Sequence, residues 1–186
     1  MEINILIWAF ATSLYFLAPA YFSNGAALAF GGGKPVDFGK SDKKGQRWIG
    51  DGVTWRGMIA GTLIGTLTGA VQGYLNPDII AAVGQYIVTP IIPDMMSGIL
   101  IGFLLGFGAV LGDAIGSFIK RRIGIERGKQ APLLDQLDFL IMALLLVAFV
   151  MKLNWIFIIL SIILTLIIHS VANILAYLLG IKDVWY

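Results

Sequence analysis

The sequence has 186 residues, 58% of them hydrophobic and 13% charged, with a net charge of +2 and no cysteine. A soluble domain carries about a quarter charged residues. At a mean hydropathy of +0.87, this chain therefore lacks the polar surface of a water-soluble globule and reads as a one-domain, all-α integral membrane protein. The absence of cysteine excludes disulfides and thiolate chemistry. With no HExxH, no GxSxG and a single histidine, zinc and acyl-transfer chemistry have no support.

A helix crossing ~30 Å of hydrocarbon needs roughly 20 apolar residues. Five segments are expected to do so, over about 3–22, 57–75, 96–118, 134–151 and 155–179. The first should kink at Pro19, and because no basic stretch precedes it, it reads as a span rather than a signal peptide. Residues 23–56 carry Lys34, Lys40, Lys43, Lys44, Arg47 and Arg56, and residues 119–133 carry Lys120, Arg121, Arg122, Arg127 and Lys129. The intervening 76–95 loop has Asp78 and Asp94 and no cation. The positive-inside rule then makes both basic loops cytoplasmic, with the N-terminus outside and the C-terminus, near Lys182, inside. Glycines at 57, 61, 65, 69 and 73 in span two, and at 108, 112 and 116 in span three, recur every fourth residue. Such a face lets another helix approach closely, either within the bundle or in a homodimer.

A charge within a span costs roughly 2.5–3.5 kcal/mol or more, so its presence calls for a partner or a role. Asp113, Ser117, Lys120 and Arg121 fall at i, i+4, i+7 and i+8 along one side of span three. Asp135 and Asp138, at i and i+3, share a face at the start of span four. If these spans are neighbours, the groups converge at the cytoplasmic edge, where three carboxylates beside cations suit a polyphosphate with its Mg²⁺. Plainer readings exist for each. Asp135 can cap span four after Pro132, Lys120 to Arg122 can be a topological anchor, and Asp113 can belong to a buried ion pair. The first basic loop, SNGAALAFGGGKPVDFGKSDKKGQRWIGDGVTWRG, mixes aromatics with glycines and charges and reads as an ordered cytoplasmic cap. Gly31 to Gly33 followed by Lys34 can offer backbone N–H groups to phosphate, and Asp37, Arg47, Asp51, Thr54 and Arg56 are its further polar candidates. His169, in span five, reads as a hydrogen-bonded packing residue.

The stretch GDAIGSFIKRRIGI followed by PLLDQLD resembles the signature of the CDP-diacylglycerol synthase superfamily. Ser117, Lys120 and Arg121 match its Ser and Lys-Arg pair, and Asp135 and Asp138 fall on its two terminal aspartates. Glu126-Arg127 stands where that family has Lys-Asp, and Gln136 where it has Arg. The chain is more similar to the archaeal branch, the CDP-archaeol synthases. It shares Pro19-Ala20-Tyr21 with Asn24, Pro35 to Gly39, and Gly50 to Gly57, although Val53 replaces the usual Lys. The resemblance implies transfer of the CMP moiety of CTP to a dialkylglycerol phosphate (an unsaturated archaetidic acid) in the cell membrane. The products would be CDP-archaeol and pyrophosphate.

On that expectation, Asp113, Asp135 and Asp138 hold Mg²⁺ and Lys120 and Arg121 neutralise the phosphates. Asn24, Lys34, Asp37, Arg47, Asp51, Thr54, Arg56, Ser117 and Lys129 bind substrate, and the lipid tails enter between spans. No nucleic-acid partner is expected. The rival functions are a small transporter or channel using the intramembrane acids, and a scaffold that assembles partners on its glycine faces.

Overall fold

A computed structural model describes residues 2–43, 45–84, 89–126, 129 and 131–180. Arg127, Lys44 and Lys182, counted above for topology, lie outside the described residues. The chain forms helices α1 (Glu2–Ala29), α2 (Trp55–Val83), α3 (Met95–Arg122), α4 (Leu134–Ala148) and α5 (Trp155–Leu178). Among the described residues the only β pairing is two isolated bridges in the loop between α1 and α2.

The helix starts are written in the sequence. Thr54, Asp94 and Asn154 stand in extended backbone, and their side chains accept the N–H groups of Gly57, Ser97 and Ile156, satisfying donors that a helix start leaves unpaired. Lys120, Arg121 and Arg122 occupy the last turn of α3, where cations oppose the negative end of the helix dipole. Among the described residues three helices, over Trp55–Ala82, Met95–Arg122 and Trp155–Leu175, are long and apolar enough to cross a membrane.

The helices depart from the expected spans at three places. α1 does not stop near Pro19 but runs on to Ala29, so Asn24 is on a helix and not in a loop. Its last turns are held by α2, since a Cβ on Gly57 would lie 2.8 Å from the Ala27 carbonyl and one on Gly61 would lie 2.8 Å from that of Ser23. α2 likewise continues through Pro77 to Val83. α4 has only 15 residues, about 22 Å at 1.5 Å per residue, against the ~30 Å of a hydrocarbon core. It ends because the Phe149 and Val150 N–H groups turn back to Leu146 and Val147, tightening the last turn.

α3 is the central helix and touches α1, α2 and α4, whereas α5 packs on α1 and α4. Its two faces are both smooth. Gly98, Gly102 and Gly106 meet Gly65, Gly69 and Gly73 of α2, so closely that a Cβ on Gly65 would lie 2.6 Å from the Gly106 Cα. On the other side Gly108 and Gly112 meet the α4 backbone at Ala143 and Phe139. The recurring glycines are thus spent within the chain, which is the first of the two uses expected for them. An interhelical hydrogen bond adds to this packing, with Ser23 Oγ donating to the Gly106 carbonyl at 2.8 Å, and Asn76 Nδ2 ties α2 to the segment before α3 through the Ile92 carbonyl at 2.6 Å. The apolar core gathers Phe16, Leu17, Leu105, Phe139, Leu140 and Phe157 from α1, α3, α4 and α5.

Candidate active site

The α3–α4 contact brings the charged residues together. Asp113 lies near Asp138, Lys120 and Asp135, close enough for each charge to act on it. Lys120 Nζ is 2.6 Å from Asp135 Oδ1. The other Asp135 oxygen accepts the Ala131 N–H at 2.8 Å while the Asp135 N–H donates to the Ala131 carbonyl at 3.0 Å. This reciprocal pair closes the turn before α4 and holds Leu133 at φ 67°, a left-handed conformation that costs a non-glycine residue about 1–3 kcal/mol. Asp135 therefore ties the turn that precedes α4 and is an ion-pair partner, whereas α4 itself starts after Leu133 with no side-chain cap. Asp138 packs where α3 has no side chain: a Cβ on Gly116 would fall 2.8 Å from the Asp138 Cγ. Gly116 was legible as a packing residue but not as the vacancy that seats a carboxylate. Among the described residues no three carboxylate or imidazole groups form one metal-sized cluster, so the three-carboxylate cage expected above is not preformed; Asp135 is already engaged by Lys120.

The side chains of Lys120 and Arg121 have different partners. From Asp113, a step of seven residues returns to nearly the same helix face, whereas a step of eight lands about 80° round. Arg121 accordingly donates to the Ile125 carbonyl and lines a cleft of about 230 Å³ between the two loops, with Arg47, Asp51 and Glu126. The loops are tied by Arg122 Nη1 to Asp42 Oδ2 at 2.6 Å.

The first loop is ordered. Pro35 bridges Thr54 and Ser41 bridges Arg47, and the turns between them wrap around one carboxylate. Buried Asp37 accepts from the Gly39, Ile49 and Gly50 N–H groups and from Arg47 through Nε and Nη2. With five donors it organises the cap. Burial alone would raise its carboxyl, but the Arg47 hydrogen bond and the three backbone N–H groups outweigh it and hold the group well below its ordinary 3.8. A depressed pKa stabilises the fold fully above the unfolded value and is lost as pH falls towards the folded one. The Ile49 and Gly50 amides should therefore lose hydrogen-exchange protection on acidification below about pH 4. In Asp37→Asn they should be unprotected at neutral pH, and unchanged protection in that variant would refute the role. Arg47 also reaches Asp51 at 2.8 Å.

A cavity of about 950 Å³ opens between α1, the start of α2, α3 and α5. Its polar end is lined by Asn24, Gly52, Thr54, Gly57 and Asp113, apolar Ala18, Leu14 and Ala11 continue it along α1, and Ile168 and Ala172 come from α5. His169 lines it too, its ring 5.6 Å from Phe139, and Tyr21 Oη lies 2.7 Å from Thr165 Oγ1, joining α1 to α5 along the wall. The cavity position of His169 adds to its reading as a packing residue, and a lone histidine in an apolar helix does not signal it.

The other expected binding residues disperse. Thr54 is buried and its Oγ1 accepts the Gly57 N–H at 3.1 Å, so it caps α2 while facing the cavity. Ser117 is half-buried on α3, one turn beyond Asp113. Lys34 and Arg56 lie together on the outer side of α2, away from the cavity. Lys129 forms a solvated pair with Glu126, 3.0 Å apart and 68% and 75% exposed. Gly31 donates weakly to the Leu28 carbonyl at 3.4 Å, and Gly32 and Gly33 take positive φ, so the glycine run turns the chain out of α1.

The fold and site define a class of protein, a helical membrane protein with an acidic and basic junction beside a largely apolar cavity. The family model for CarS-like CDP-archaeol synthase matches residues 3–186. The CDP-archaeol synthase of Methanothermobacter thermautotrophicus is 51% identical over 173 residues, covering 93% of this chain and 92% of that one. That of Methanocaldococcus jannaschii is 48% identical over 181 residues, covering 94% and 96%. A solved structure of an intramembrane enzyme for archaeal membrane lipid biosynthesis is similar with a TM-score of 0.70 and 34% identity, over 87% of this chain and 92% of that one. The chain belongs to the CDP-archaeol synthase family and is an enzyme of the cytidylyltransferase type.

Proposed function

We propose that the chain joins CTP to a membrane dialkylglycerol phosphate. An oxygen of the lipid phosphate attacks the α-phosphorus of CTP, the new O–P bond forms as the α–β phosphoanhydride bond breaks, and pyrophosphate leaves. The supporting observation is the position of Asp113, which belongs both to the α3–α4 charge junction and to the wall of the cavity. On this reading the nucleotide sits at the polar end beside Asn24 and Thr54, and the alkyl chains run along Ala18, Leu14 and Ala11 of α1. The lipid phosphate is already an anion, so no strong base is needed. The barrier lies in bringing two anions together and in charge on the leaving group, which favours positioning and electrostatics.

We assign Mg²⁺ to Asp113 and Asp138, whose carboxylate oxygens suit a hard cation and which stand beside Lys120 and Asp135. When bound, the ion would offset phosphate charge. Lys120, exchanging Asp135 for a phosphate oxygen, neutralises further charge, and Arg121 with Arg47 receives anion at the inter-loop cleft. On the positive-inside rule the Lys34, Arg47 and Lys120 ends of the helices face the cytoplasm, with five spans and the N-terminus outside the cell membrane.

Pyrophosphate release by the purified protein tests this reading. Release should require CTP, Mg²⁺ and a dialkylglycerol phosphate together, and should vanish with EDTA. No release, together with no rise in melting temperature on adding CTP, would overturn it and favour solute flux in proteoliposomes as the next measurement.

A further inference from the structure

A second groove, of about 510 Å³, lies on the outer side of α2, lined by Phe30, Lys34, Trp55, Arg56, Ile59 and Leu63 among others. The first turn of α2 is the partition. Thr54, Gly57 and Met58 face the cavity, and Trp55, Arg56 and Ile59 face the groove. Its two cations come from different parts of the chain. The Pro35–Thr54 bridge, with the Trp55 N–H donating to the Lys34 carbonyl at 3.1 Å, fixes Lys34 beside Arg56. Both are exposed, and among the described residues neither forms an ion pair, whereas Arg47, Lys120, Arg122 and Lys129 all do.

Below the cations, Ile59, Leu63, Leu67 and Val71 are each more than half exposed at a spacing of four. They make an apolar strip about 18 Å long at 1.5 Å per residue. Phe30 and Trp55, both partly exposed, flank the cationic end, where aromatic residues favour a membrane interface. Two unpaired positive charges heading a strip as long as an alkyl chain complement one kind of ligand.

We propose that this groove binds an anionic membrane lipid, its phosphate between Lys34 and Arg56 and one chain along Ile59 to Val71. The proposal rests on the membrane-spanning reading of α2 and adds a lipid site outside the catalytic cavity. A lipid held there lies one helix width from the cavity, so the groove can keep a phosphate-bearing lipid close to the site of reaction.

The test uses the full chain in phosphatidylcholine vesicles containing either brominated phosphatidic acid or brominated phosphatidylcholine at equal mole fraction. Tryptophan fluorescence is read, and the Trp55 component is isolated by difference from Trp55→Phe. Among the described residues no tryptophan lines the catalytic cavity, and the Trp55 signal, read without CTP, stands apart from the pyrophosphate assay. Phosphatidic acid should quench Trp55 more strongly than phosphatidylcholine and to saturation. In Lys34→Ala/Arg56→Ala the half-saturating mole fraction should rise roughly tenfold or more. Unchanged quenching of the remaining tryptophans by brominated phosphatidylcholine shows that the double variant is folded and inserted. Equal quenching by the two lipids, or preference for phosphatidic acid surviving in the double variant, would overturn the proposal.

Discussion

Asp138→Asn is expected to lower pyrophosphate release by roughly 10²–10³-fold, the loss seen when one electrostatic contact to a reacting group is removed, with the melting temperature nearly unchanged. Asparagine keeps the side-chain oxygen that accepts the Phe139 N–H at 2.7 Å and is close to aspartate in volume, so only the charge is lost. A second substitution separates charge from position. Gly116→Ala keeps every ionisable group, yet its Cβ would fall 2.8 Å from the Asp138 Cγ, and the carboxyl must swing out of its seat. It too should lower turnover strongly. Full activity in Asp138→Asn would remove this residue from the metal assignment. Loss in Asp138→Asn with full activity in Gly116→Ala would show that the charge matters and its seat does not.

What the sequence makes legible is whatever depends on helical period. The stripe from Asp113 to Lys120 and the pair Asp135 and Asp138 follow from the geometry of a turn, and the short connection between α3 and α4 makes those helices neighbours. The acidic and basic junction was visible for that reason. The loop was not, because its contacts are made by chain reversal. Asp37 among glycines does not announce the five donors around it, and nothing in the spacing of Lys34 and Arg56 says that they lie together outside the cavity. Asn24 was read into a loop because Ser23-Asn24-Gly25 is polar. Hydropathy does not register that Gly57 and Gly61 leave room for α1 to continue alongside α2.

Gly102→Ala is expected to destabilise the protein although alanine is the better helix former. In an isolated helix the change would gain about 1 kcal/mol. Here the new Cβ would lie 2.6 Å from the Gly65 carbonyl oxygen and 2.7 Å from the Gly69 Cα. Both are backbone atoms, with no flexible side chain to yield, so α2 and α3 must move apart. Overpacking of this kind costs typically 1–3 kcal/mol, and separation also loosens the contacts of Gly98 and Gly106 along the same face. Gly25→Ala on α1, where the added Cβ meets nothing within 4 Å, is the matched control and should keep or raise the melting temperature. Thermal unfolding of both variants in the same detergent decides the point. A Gly102→Ala protein as stable as its parent would mean that α2 and α3 are not in backbone contact there. A drop would have a functional consequence, because α3 carries Asp113 into the cavity opposite Gly57 and Met58 of α2. A wider α2–α3 spacing moves that carboxylate away from the nucleotide end, and turnover should fall further than the loss of folded protein alone accounts for.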